Sequence, residues 1–100
     1  MKLKQIMNPK ARKNGLQSVP FEFYAPAAST VCISGTFNSW DQAQFPLRKS
    51  GNGKWTVSLK LEPGRYEYLF LVDGEWQCDP QAEECVPNAF GTWNCVKTVA

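Results

Sequence analysis

The chain has 100 residues, 43% of them hydrophobic, and a formal net charge of +2, enough material for one domain with a modest core. It has no histidine, which removes imidazole acid–base chemistry and Ser-His nucleophilic catalysis. Lys2, Lys4, Lys10, Arg12 and Lys13 all precede Gly15, leaving six basic residues to face nine acidic ones in the remainder, so the body is a poor electrostatic match for nucleic acid.

No apolar run approaches a membrane span. The stretch before Leu16 lacks the continuous apolar segment and small-residue cleavage site of a secretory signal, so a cytoplasmic location is expected. Residues 1–17 read as a basic flexible tail or a lead-in strand, and 18–100 as the folded unit. Met1 and the basic lead-in favour a free-standing small protein over a piece excised from a larger enzyme. Cys32, Cys78, Cys85 and Cys95 include no C-x-x-C pair. In a reducing compartment they are expected to be free thiols, with no metal or cofactor assigned.

Along the chain, VPFEFYAP alternates Phe21 and Phe23 against Glu22 and Tyr24, the pattern of a half-buried strand closed by Pro26. TVCISG follows with Val31 and Ile33 facing in and Cys32 and Ser34 facing out. GTFNSWDQ reads as a tight polar loop. Phe37 plugs inward, Asn38, Ser39 and Asp41 bond to nearby backbone, and Trp40 stands in a polar setting. FPLRKS is a short strand with Leu47 inward. KWTVSLKL then places Trp55, Val57, Leu59 and Leu61 on one face, so Trp55 is assigned to the core.

After Pro63-Gly64 the stretch RYEYLFLVDGEWQCDP carries Tyr66, Tyr68, Phe70 and Val72 on one side. Leu69 and Leu71 on the other side predict a strand covered on both faces along part of its length. Asp73-Gly74 is a two-residue hairpin signal, and Trp76 lies two residues beyond it. The run CDPQAEECVPN is proline-broken and acidic and is read as a loop. A last strand starts near Asn94, with Val96 and Thr98 on one face and Cys95, Lys97 and Val99 on the other. Short strands with turns every eight to twelve residues and no helical period predict an all-β sandwich.

Catalysis finds little support in the remaining residues. Asp73, Glu75 and Asp79 lie near the hairpin tip, but Asp73 is a turn former, Asp79 precedes a proline, and a sandwich of this length leaves little material for the deep cleft that a carboxylate pair must flank. Gly51 and Gly53 sit in a polar turn and open no helix, so they are not a phosphate cradle. Trp40 and Trp76 in polar loops suggest another chemistry. The C–H face of a pyranose packs on an indole much as an aromatic ring does, while hydroxyls at the rim need amide or carboxylate partners. A buried-corner role is the alternative for each of these rings. Trp93 either extends the platform or caps the sandwich edge.

G-x-F-N-x-W over 35–40, L-x-P-G-x-Y-x-Y over 61–68, V-D-G-x-W-x-x-D-P over 72–80 and G-x-x-N over 91–94 give this chain its family resemblance. From about residue 19 to 99 it resembles the family-48 carbohydrate-binding modules, which include the glycogen-binding domain of the AMP-activated protein kinase beta subunit and the N-terminal modules of isoamylases and branching enzymes. The resemblance implies an immunoglobulin-like β-sandwich that binds α-1,4-glucan, glycogen or starch-like, without catalysis. It also implies a glycogen-metabolising enzyme or kinase as a partner. Trp40 and Trp76 would be stacking platforms, Phe90 an apolar wedge, and Thr92 and Asn94 hydroxyl ligands. Leu69 stands where the kinase-subunit domains carry a lysine, so Gln77 or Glu75 would have to supply the missing polar contact. Cys95 replaces a second Asn common in the family. The alternative is a protein-interaction sandwich in which Leu69, Leu71 and Cys32 offer apolar surface to a partner and no sugar binds.

Overall fold

The computed structural model describes residues 15–41 and 45–100; the basic stretch before Gly15 lies outside them. Among the described residues nine strands form two antiparallel sheets: β1 (Gln17–Tyr24), β2 (Val31–Gly35), β3 (Phe45–Pro46), β4 (Arg48–Lys49), β5 (Lys54–Leu61), β6 (Gly64–Val72), β7 (Glu75–Gln77), β8 (Glu84–Pro87) and β9 (Trp93–Val99). One sheet has the order β1-β5-β4. The other runs β3-β2-β6-β9-β8, with β7 also paired to β6.

The alternation read from the sequence decides which faces meet. Val19, Phe21 and Phe23 of β1 are buried against the inner side of β6, where Tyr68 and Phe70 are almost fully enclosed. Phe21 meets Tyr68 edge-on at 5.1 Å between ring centroids, and Phe23 lies 4.9 Å from Phe70, within the range in which aromatic pairs attract. Trp55 joins this core as expected, and its indole N–H donates to the Ala25 carbonyl at 2.9 Å, satisfying the one polar group the ring would otherwise bury unpaired. At Leu47 the chain changes sheets. Phe45–Pro46 pairs with β2, Arg48–Lys49 pairs with β5, and Leu47 between them is buried.

Glu84–Pro87, expected from its composition to lie in a loop, is instead an edge strand paired to β9 from Glu84↔Val96 to Pro87↔Trp93. Its charge and terminal proline disguise it, yet such residues are how an exposed edge avoids pairing with another chain. Ser34 points away from the core as expected but is fully buried, because the 36–41 corner folds over it. Its hydroxyl donates to the Asp41 carbonyl at 3.0 Å.

Candidate glucan-binding face

The outer face of β6 organises the site. Arg65, Glu67, Leu69 and Leu71 alternate with the core residues Tyr66, Tyr68, Phe70 and Val72. One edge of β6 pairs with β2. The other pairs with β9 over Gly64–Tyr68 and with β7 over Phe70–Val72, so Leu69 sits at the junction of the two. Along this face Leu71 and Glu67 are about 13 Å apart, four residues at strand rise.

At the Leu71 end stand the tryptophans. Trp76 lies directly across from Leu71 in the β6–β7 hairpin, and the residue is 43% exposed. The hairpin turns at Asp73 (φ 49°) and Gly74 (φ 85°), the two successive positive angles a tight two-residue turn requires. Asp73 does more than turn the chain, since its Oδ1 accepts from the Ser29 and Thr30 amides at 2.8 and 2.9 Å.

Trp40 arrives from the other side, on the corner after β2. There Thr36–Asn38 form one turn of 3₁₀ helix. The Gly35 amide donates to Asn38 Oδ1 at 3.0 Å, and Ser39 and Trp40 take left-handed angles. Only glycine fits at position 35, where an added Cβ would stand 2.3 Å from the Glu67 carbonyl oxygen. Phe37 plugs inward as expected, against Phe21, Phe45 and Tyr66. The corner brings Trp40 onto Trp76 edge-to-face, with centroids 6.2 Å apart and planes at 77°. Trp40 is half-buried and packs against the core, while Trp76 is the more open of the two.

At the Glu67 end the surface is polar. Asn94 Nδ2 donates to Glu67 Oε1 at 3.1 Å, and Asn94 Oδ1 accepts from Asn88 Nδ2 at 3.0 Å. Asn88 Nδ2 also reaches the Thr92 hydroxyl at 2.8 Å, while Asn88 Oδ1 accepts the amides of Phe90 and Thr92 at 3.0 and 3.1 Å. One asparagine therefore shapes the whole 88–92 loop and couples it to the sheet. Neither Asn88 nor Glu67 stood out in the sequence. An Asx side chain bonding two residues ahead was the available signal for Asn88, whereas nothing local foretells the Glu67 contact. Phe90, at 89% exposure, is almost entirely in solvent.

Leu69 lies between the two ends with only 9% of its surface exposed. It therefore floors the face rather than offering an apolar patch, contrary to the role the interaction-sandwich reading gave it. Gln77 is paired opposite Phe70, and Glu75 opposite Val72. Residues opposite one another share a face, so both belong to the other side of the sheet from Trp76. Neither stands beside Leu69 to replace the lysine. Trp93 alternates with Asn94 and is likewise turned from this face; its backbone carbonyl accepts from the Cys78 thiol at 3.5 Å.

Residues 18–100 match the model of the glycogen recognition site of AMP-activated protein kinase. The chain belongs to that family. It is 37% identical over 83 residues to the beta-1 subunit of 5'-AMP-activated protein kinase from Sus scrofa, covering 82% of this chain and 65% of that protein. It is 46% identical over 54 residues to protein PTST homolog 2, chloroplastic, of Arabidopsis thaliana, covering 54% of this chain and 10% of that one. A third relative is the 1,4-alpha-glucan branching enzyme GlgB 2 of Rhizobium johnstonii, 35% identical over 76% of this chain and 11% of the enzyme. The chain thus spans between a tenth and two thirds of the length of these relatives. The shared part is a recognition module rather than a catalytic one. Among the described residues no helix is long and apolar enough to cross a membrane. PTST homolog 2 is chloroplastic, so membership of the family does not by itself place the chain in the cytoplasm.

Proposed function

We propose that the outer face of β6 binds α-1,4-glucan, as glycogen or starch-like chains, without acting on it chemically. The contact of Trp40 with Trp76 carries this reading. Two indole planes at 77° suit a chain whose successive rings turn relative to one another, as α-1,4 linkage makes them, better than a flat ribbon. One sugar ring packs on the open face of Trp76 and the chain bends around the Trp40 edge. Its hydroxyls then meet Thr92 and the second N–H of Asn94, since the first is committed to Glu67. Phe90 closes over the chain from the 88–92 loop. Glu67 Oε2 accepts no hydrogen bond among the described residues and only approaches Arg65 Nη1 at 3.8 Å, and it is the acceptor that takes over from the family's lysine, with polarity reversed.

A shallow site of this kind is worth about −4 to −6 kcal/mol, a Kd from about a millimolar to tens of micromolar. Such weakness is workable on a polymer that offers many equivalent chain ends. In the cell the module would hold a glucan-metabolising enzyme or a kinase against its polymer, in the cytoplasm. The interaction-sandwich alternative loses a main support with Leu69 enclosed. Affinity electrophoresis through glycogen gels tests the proposal, with maltoheptaose and cellohexaose as competitors. Retardation of the wild type relieved by maltoheptaose alone is expected; free migration, or equal relief by cellohexaose, defeats it.

A further inference from the structure

Three cysteines that look dispersed in the sequence converge in the fold. Register sets Cys85 of β8 directly opposite Cys95 of β9. Cys78 follows β7, and the three sulfurs all lie within 4.8 Å of one another. The next residue joins the cluster through its backbone, the Asp79 amide donating to Cys95 Sγ at 3.1 Å. Cys95 is buried, whereas Cys78 and Cys85 are exposed. All of this lies away from the glucan face, since Cys95 alternates with Asn94 along β9.

We propose that Cys78, Cys85 and Cys95 form a three-thiolate site for a divalent thiophilic d¹⁰ cation, with zinc as the physiological ion. Thiolates each ~2.3 Å from one ion are held ~3.8–4.0 Å apart, from tetrahedral to trigonal geometry, so the sulfurs need close by less than about 1 Å. Soft sulfur ligands select zinc and its heavier congeners over magnesium or calcium. Two exposed ligands provide the entry path, and the Asp79 N–H stabilises charge on the buried sulfur. The described residues supply three ligands, which leaves a fourth position to water, the arrangement of an open rather than a closed zinc site. Binding converts three thiols to thiolates, releases three protons and leaves the complex with a charge of −1. Because each ligand sulfur must lose its proton to bind the cation, affinity must rise with pH.

The full-length chain, reduced and desalted, is titrated with Cd²⁺ as a spectroscopic probe and then with Zn²⁺. One equivalent is expected to develop sulfur-to-cadmium charge-transfer absorption, release three protons into weak buffer and protect three of four thiols from alkylation. Zn²⁺ should bleach the band. Cys78→Ser and Cys85→Ser, both at exposed positions, should each weaken Cd²⁺ binding by at least ~100-fold, beyond the 10–100-fold cost of losing an outer-shell partner. Cys32→Ser should bind as the wild type does. A missing band, a band unaffected by Cys78→Ser and Cys85→Ser, or equal loss in Cys32→Ser overturns the proposal. So does a disulfide among these three cysteines in protein trapped by alkylation at lysis.

Discussion

The two ends of the β6 outer face are built by opposite means. At the Leu71 end, Trp40 and Trp76 are held by local backbone devices, a glycine corner and an Asp-Gly turn, and they meet through ring contact. At the Glu67 end, the arrangement depends on side-chain amides, with Asn94 and Asn88 bonded to each other and to Glu67 and Thr92. Apolar platforms supply contact energy that tolerates small displacements. Amide networks supply direction and fail when one member is lost, because a remaining partner is left unsatisfied. The face therefore divides affinity from orientation along one strand.

Substitutions can push on each end separately. The largest effect is expected from Gly35→Ala, which drives a methyl group into the Glu67 carbonyl. It should cost about 3 kcal/mol of stability, the upper range for overpacking, visible as a lowered midpoint in urea. Because Glu67 shifts with it, both ends of the face should be lost together. Trp76→Ala comes next and should cost about 2 kcal/mol of glucan affinity, roughly 30-fold, with little change in the urea midpoint, since Trp76 is an exposed residue on a hairpin. Titration calorimetry with maltoheptaose gives the first quantity. Binding undiminished in this variant would mean that the indole pair is a packing feature only.

Asn88→Ala should cost about 1 kcal/mol in affinity by releasing the 88–92 loop, and it should raise amide exchange at Phe90 and Thr92, whose N–H groups it holds. If exchange rises but affinity stays, the amide end does not touch the sugar. Phe90→Ala should have the smallest effect, about 0.5 kcal/mol in affinity and none in stability, because the ring makes little contact with the fold in the free protein. A stability loss in this variant would show that Phe90 packs on the fold after all.

Much of the first end could be read from the chain. Alternation assigned Trp55 to the core, and the polar surroundings of Trp40 and Trp76 set them apart from it, because strand period and turn chemistry act over two to four residues. Less of the second end was legible. The resemblance marks Asn94 as a hydroxyl ligand, but its partner Glu67 lies 27 residues away, and Gln77, expected to supply the polar contact that Leu69 cannot, is turned by pleating to the opposite face. The β8 strand went unread for a related reason: an edge strand needs only one neighbour and a few residues, so its composition follows solvent rather than the core.

The order of residues by itself determined the strand faces, the two turns that carry the indoles and the family of the chain, since each rests on neighbours along the backbone. Tertiary structure alone decided that the indoles touch, that Leu69 is covered, that Asn88 joins loop to sheet, and that three cysteines spaced seven and ten residues apart gather their sulfurs within 4.8 Å. Those are cross-strand relations. They are set by register, which depends on how the whole hydrophobic pattern of two strands fits together rather than on any short stretch of either.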